Sequence, residues 1–388
     1  MGTREPSPAG WCKATVRGAA IGRLLATAVA LAALVGCGGA DQSGSPPTGE
    51  GPQQLFGVRP LGPAGPLLAY DMPSARERFR LPAGRASPDG NWFFAAHAHP
   101  GRTHVVVYDA RSGSPRRSFD VAGRSALQAV SPTGRWLVLA REARGVTVVR
   151  VVAATTGRVR SRLTLSGRFD VEAISAGGSS LFLVEHLDDG AYRIRLYDLR
   201  ADVLARDPLA TKGSEKIMAG YAWGGVATPN GRWLLTLYLS TRRDVAFVHT
   251  LNLDEAFALC LDLPSGDGRA AALKAYGVAL SPDGSKLYAA NPALGVLAEL
   301  DLAAGPVLRT VAEFAPAVAS PRTEVVVSEN GRAVYFSNGR AVWRHRVGST
   351  SVERAYANGT AVAGIGLSRD GTRLFVAPAG ERPLAVAA

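Results

Sequence analysis

The stretch YGVALSPDGSKLYAANPALGVLAELDLAAGPVLRTV, residues 276–311, decides the fold. At its centre Ser281-Pro282-Asp283-Gly284 is a chain reversal: proline presets φ at the second position, aspartate tolerates the third, and glycine supplies a positive φ at the end. Around it Tyr276 to Leu280, Lys286 to Ala290, Val296 to Asp301 and Val307 to Val311 are short apolar or alternating segments between turn residues, and they predict four strands.

The same turn recurs along the chain. Ser87-Pro88-Asp89-Gly90, Ser131-Pro132-Thr133-Gly134, Ser175-Ala176-Gly177-Gly178, Thr228-Pro229-Asn230-Gly231, Ser328-Glu329-Asn330-Gly331 and Ser368-Arg369-Asp370-Gly371 complete seven copies, spaced by 44, 44, 53, 53, 47 and 40 residues. Four short strands every 40 to 50 residues is the period of a propeller blade. The expected fold is therefore all-β, a seven-bladed β-propeller of four-stranded antiparallel blades over 55–388. Leu67 to Asp71 and Glu77 to Leu81 read as third and fourth strands without a first and second, and Ala361 to Leu367 with Arg373 to Ala377 supply the missing pair. Joining them predicts a ring closed by the N- and C-terminal strands in one blade, with Pro383 to Ala388 as a competitor for the third position.

The Ser-Pro-Asp-Gly turn, followed by Lys286-Leu287-Tyr288-Ala289-Ala290-Asn291 and Leu297-Ala298-Glu299-Leu300-Asp301, resembles the YVTN-type or lactonase-like seven-bladed propeller repeats of secreted bacterial proteins. The third, sixth and seventh turns depart from the pattern in lacking proline, and the third lacks the acid. The resemblance implies the fold; function lives in sites grafted on it, and this superfold hosts lactonases, envelope-assembly factors and binding scaffolds.

Composition agrees with a globular chain of many short elements: 47% hydrophobic, 20% charged, with 44 glycines and 24 prolines in 388 residues. Arg17 and Arg23 precede Leu24 to Val35, twelve uncharged residues. As a helix these span about 18 Å against a hydrocarbon core of about 30 Å, which fits a signal segment better than a membrane span. The ending Leu34-Val35-Gly36-Cys37 resembles the lipobox of bacterial lipoproteins, so residues 1–36 are expected to be a lipoprotein signal peptide and Cys37 the lipidated residue. Residues 37–54, rich in Gly, Ser and Pro, read as a flexible tether. This predicts an extracytoplasmic protein held to the membrane through a lipid on Cys37. Only Cys260 then keeps a free thiol, so no intramolecular disulfide is expected.

Residues 1–36 hold Arg4, Lys13, Arg17, Arg23 and Glu5, which leaves 40 basic and 31 acidic residues, a net +9, on the rest. Arginines are dispersed, with no aromatic-interleaved basic run, and no nucleic-acid partner is expected. Counting back three from each turn Ser or Thr gives Gly84, Gln128, Glu172, Gly225, Val278, Val325 and Ile365 as channel-facing residues, five of the seven being Gly or aliphatic. Counting back five gives Pro82, Ala126, Asp170, Trp223, Tyr276, Thr323 and Ala363. No ring of carboxylates or histidines appears, so no metal and no cofactor are expected. One sector is polar: Asp170, Glu172, Glu185 and His186, with His97, His99 and Arg141 nearby. On the opposite sector Trp223, Tyr276 and Tyr221, with Arg242 and Arg243, offer an aromatic and cationic binding surface. The elbow Gly-x-Ser-x-Gly, His-Glu-x-x-His, Cys-x-x-Cys, a P-loop and Ser-x-x-Lys are all missing from the sequence. The expectation is a monomeric binding or scaffolding module for a protein or glycan of the cell envelope, with no catalytic residues. A lactonase-type hydrolase using the polar sector is the alternative.

Overall fold

Each of the seven turns closes through the same three bonds, whether or not it contains proline. In the copy at 281–284 the Gly284 amide donates to Ser281 O (2.9 Å), the Ser281 amide to Lys286 O (2.8 Å), and the Lys286 amide to Ser281 Oγ (2.9 Å). The copies at 175–178, 328–331 and 368–371, which lack proline, repeat all three. Every closing glycine sits at φ between 67° and 72°, a region that strains a Cβ-bearing residue. The hydroxyl accepting from the first amide of the next strand, rather than the proline, is the shared determinant.

The computed structural model describes residues 55–58, 65–71, 74–209, 218–240, 244–265, 270–303, 305–317, 323–357, 359–379 and 383–387. The expected signal peptide and tether, with Cys37, and also Arg242 and Arg243, lie outside them. The described chain is all-β with two short 3-10 turns, and its strands form eight antiparallel sheets in chain order. Sheet one joins Leu55–Val58, Leu67–Asp71 and Glu77–Leu81. Sheet two runs Arg85–Ala86, Trp92–His99, Arg102–Asp109 and Pro115–Ala122, and sheet three Ala126–Val130, Trp136–Ala143, Val146–Ala153 and Val159–Ser166. Sheet four holds Arg168–Ile174, Ser180–His186, Ala191–Asp198 and Val203–Leu204, with Met218–Ala219 also paired to its third strand. Sheet five comprises Tyr221–Ala227, Trp233–Leu239, Ala246–Asn252 and Phe257–Asp262. Sheet six contains Gly277–Leu280, Lys286–Asn291, Val296–Asp301 and Val307–Glu313, the four strands expected from the opening stretch. Sheet seven is Val325–Val327, Ala333–Ser337, Ala341–Arg346 and Val352–Ala357, and sheet eight is Val362–Leu367, Arg373–Pro378 and Leu384–Ala387.

Alternation along the strands puts side chains on both faces of every sheet, and neighbouring sheets share the resulting apolar layers. Phe94, Val105, Leu137 and Leu139 fill the layer between sheets two and three, and Leu163, Val171 and Leu183 lie between three and four. Phe182, Tyr238 and Phe247 occupy the layer between four and five, Leu237, Tyr276 and Leu287 that between five and six. Tyr288 and Phe336 join six to seven, Val342 and Leu374 seven to eight.

The seam departs from the sequence expectation. The terminal strands do not share a sheet: Leu67–Asp71 pairs with Leu55–Val58, and Arg373–Pro378 pairs with Leu384–Ala387. Leu384–Ala387 takes the third-strand position on sheet eight, and Leu55–Val58, which has no turn signal before it, completes sheet one. Two three-stranded sheets therefore stand where one shared blade was expected. They touch through Phe375 and Ala377 of sheet eight and Tyr70 of sheet one.

Candidate functional site

The first strand of several sheets carries a β-bulge, and this decides where its side chains go. The ladder skips Gln128 in sheet three, Glu172 in sheet four, Trp223 in sheet five and Ala363 in sheet eight. One extra residue flips the facing of those beyond it, so a simple count back from the turn loses register there.

In the polar sector the structure brings Asp170 and His186 together. His186 Nε2 lies 2.7 Å from Asp170 Oδ2, and Gln128 Nε2 donates to Asp170 Oδ1 at 3.2 Å. Gln128 Oε1 in turn accepts from the Val171 amide, which ties the first strands of sheets three and four. Glu185 points elsewhere: its carboxylate takes a 2.6 Å bond from Arg195 Nη1, and Arg195 Nη2 donates to Ala205 O. His97 and His99 are exposed on sheet two, facing His104 and Arg102 across the strand pair. His104 is bonded to Asp120 at 2.8 Å. Arg141 is exposed on sheet three, beside the buried Arg150, whose Nη1 donates to Ser125 Oγ. The sector is thus several short networks on different sheets. Among the described residues no three His, Cys, Asp or Glu side chains gather at metal-holding distance.

Glu172 leaves this group. Its bulge turns it into the layer between sheets four and five, where Thr236 Oγ1 donates to Oε1 at 3.0 Å and His249 Nε2 stands 3.9 Å from Oε2. Burial pushes the Glu172 carboxyl up to about 7, while the Thr236 and Tyr238 hydroxyls pull it the other way. The same burial holds the His249 imidazole down to about 4. Among the described residues neither Glu172 Oε2 nor His249 Nε2 has a hydrogen-bond partner, although both are fully enclosed. Tyr192 and Tyr238 stack at 5.2 Å beside them. His249, Thr236 and Cys260 sit directly opposite one another across three strands of sheet five, so one cross-strand row faces sheet four. Sequence reading missed His249 altogether. The signal for it is a histidine in the strand AFVHTLN, whose residues are all buried.

In the aromatic sector Tyr221 is 42% exposed and meets the partly buried Trp223 edge to face, with centroids 6.4 Å apart. Tyr276 belongs to neither the surface nor a mouth. It is 1% exposed within the layer between sheets five and six, and its hydroxyl donates to Pro264 O. Tyr221 pairs with Leu239, which places it at the sheet end from which the 240–245 connection leaves.

Among solved structures, the Dos1 propeller is 12% identical with a TM-score of 0.50, over 86% of this chain and 88% of its own. Hydrazine synthase of Kuenenia stuttgartiensis is 13% identical at a TM-score of 0.44, covering 78% of this chain and 94% of its own. The Cps50 (Swd1) β-propeller domain of Myceliophteria thermophila is 14% identical at 0.43, with the same coverage. No family model matches the sequence, and no curated protein does. The stacked four-stranded sheets, together with the likeness to the Dos1 propeller, make this chain a β-propeller by fold.

Proposed function

We propose that the chain is an extracytoplasmic, membrane-anchored β-propeller lipoprotein that acts as a protein- or glycan-binding scaffold. Its sheets stack into a closed ring of seven turn-bearing sheets completed by sheet one. The cluster joining Phe375 to Tyr70 supports closure, since without it sheets one and eight would each present an open face. Anchoring rests on the Leu34-Val35-Gly36-Cys37 resemblance. Fractionation checks it: Cys37→Ser releases the protein or leaves it unprocessed, and a variant still lipidated and membrane-bound removes the anchor.

The observation that carries the binding reading is the pairing of the polar sector. Asp170 is bonded by His186 and Gln128, and Glu185 by Arg195, so these carboxylates are engaged by neighbours rather than aimed at an open position. By contrast Tyr221 presents its ring to solvent over Trp223, an arrangement suited to stacking on a sugar or a partner side chain. Capture from cell-envelope extract tests it. Tyr221→Ala is expected to reduce partner recovery at least tenfold, and His186→Ala to leave it within twofold.

One observation favours the alternative. The 2.7 Å Asp170–His186 pair has the geometry of an acid/base dyad. A lactonase-type hydrolase takes the place of the scaffold if purified protein opens lactones and His186→Ala abolishes the reaction.

A further inference from the structure

Three soft donors meet at the outer margin of the layer between sheets four and five. Cys260 Sγ lies 3.4 Å from Met218 Sδ and 3.5 Å from His249 Nδ1. We propose that Cys260, Met218 and His249 form a binding site for a monovalent copper ion, held between the two sheets and backed by Glu172.

Separation is the first argument. Metal bonds of about 2.0 Å to imidazole nitrogen and about 2.3 Å to sulfur, at the open angles of a three-coordinate ion, leave donors roughly 3.5 to 4 Å apart. To reach those values the Cys260–Met218 separation widens by about 0.6 Å and the Cys260–His249 separation by about 0.2 Å. Chemistry is the second. A thiolate, a thioether and an imidazole form a set that selects Cu(I) over magnesium, calcium or manganese. Among the described residues zinc finds three protein donors rather than the four of a structural site, because the Glu172 carboxylate lies on the far side of the imidazole from Cys260.

The fold sets the donors independently of any ion. Cys260 and His249 are direct cross-strand partners in sheet five, while Met218 is carried by the two-residue strand bonded to Tyr192 and Ala191 of sheet four. An ion at this point would link one sheet to the next. Met218 and His249 are buried, and Cys260 is partly exposed, which gives an entry path from the edge.

The enclosed atoms without partners supply the third argument. Copper on Nδ1 places the imidazole proton on Nε2, which stands 3.9 Å from Glu172 Oε2, an enclosed oxygen with no hydrogen-bond partner among the described residues. Closing that separation to hydrogen-bond distance would complete the carboxylate–histidine–metal relay that fixes ring orientation in metal sites. Binding converts the Cys260 thiol to thiolate, with one proton released to solvent for each ion bound and no change of oxidation state.

The test is an anaerobic titration of the full chain, in a Cys12→Ser, Cys37→Ser background, with Cu(I) held by a competing bicinchoninate chelator. The expected result is one ion per chain and a raised melting temperature. Cys260→Ser should lower affinity at least 100-fold, Met218→Leu at least tenfold, and Glu172→Gln by about tenfold. X-ray absorption should show mixed sulfur and nitrogen ligands. Absence of chelator-resistant copper overturns the proposal. So does copper retained at full affinity by a folded Cys260→Ser, or Zn(II) bound as tightly as Cu(I).

Discussion

Glu172 and His249 carry opposite dependences on pH although they lie side by side. Glu172 has an ordinary value of 4.5 and sits at about 7 when folded. As pH rises between those values the unfolded chain loses this proton and the folded one keeps it, so stability falls, and the loss is complete above about 7. His249 shifts from 6.5 to about 4, so between those values the unfolded chain holds more protons and stability rises with pH. In the parent the two trends offset each other. Glu172→Gln keeps an acceptor for Thr236 and removes the falling limb. Melts of the metal-free protein should therefore show the variant gaining on the parent by up to about 3 kcal/mol between pH 4 and pH 8; a difference that stays flat contradicts the assignment. Tyr276→Ala is expected to cost about 3–5 kcal/mol through the cavity it opens. The exposed Tyr221→Ala should stay within about 0.5 kcal/mol. Chemical denaturation of both compares a core tyrosine with a surface one. Counting from the turns places Glu172 among the channel-facing residues, and Tyr276 is expected on an aromatic binding surface. Strand membership was legible for Glu172, but its bulge was not, and Tyr276 precedes the strand Gly277–Leu280 it was expected to open, because neither feature leaves a compositional mark.

At the scale of the element, the turn repeat was the most legible feature. All seven copies form the same bonds, including the three without proline, since the chain reversal needs a hydroxyl acceptor and a glycine at positive φ. Ser328→Ala and Ser281→Ala should accordingly cost similar amounts, about 1–2 kcal/mol each. Pro282→Ala should cost under about 1 kcal/mol. Denaturant melts of the three single variants check this, and a proline effect larger than the serine effects would reverse the account. Strands adjoining the turns were also legible from their alternation. Contacts that join sheets were not: Glu172 and Thr236 are 64 residues apart, and nothing local couples them.

For the whole molecule, the sequence shows seven copies of the turn, while the strands form eight sheets. Seven turns predicted a shared terminal blade, yet Leu55–Val58 and Leu384–Ala387 each find a place in a separate sheet. Four-residue strands that follow no copy of the repeated turn carry too little pattern to be assigned from sequence. In the proposed scaffold the first and last sheets close the stack into one cooperative ring. Thermal melts of two truncations test it most directly, one lacking 55–82 and one lacking 38–52. Closure predicts that removing 55–82, which strips sheet eight of its neighbour and sheet two of the Leu67 and Leu81 packing, lowers the melting temperature by about 10 °C or more. Removing 38–52 should change it by less than about 2 °C. Equal melting temperatures for the two truncations would contradict the closed ring.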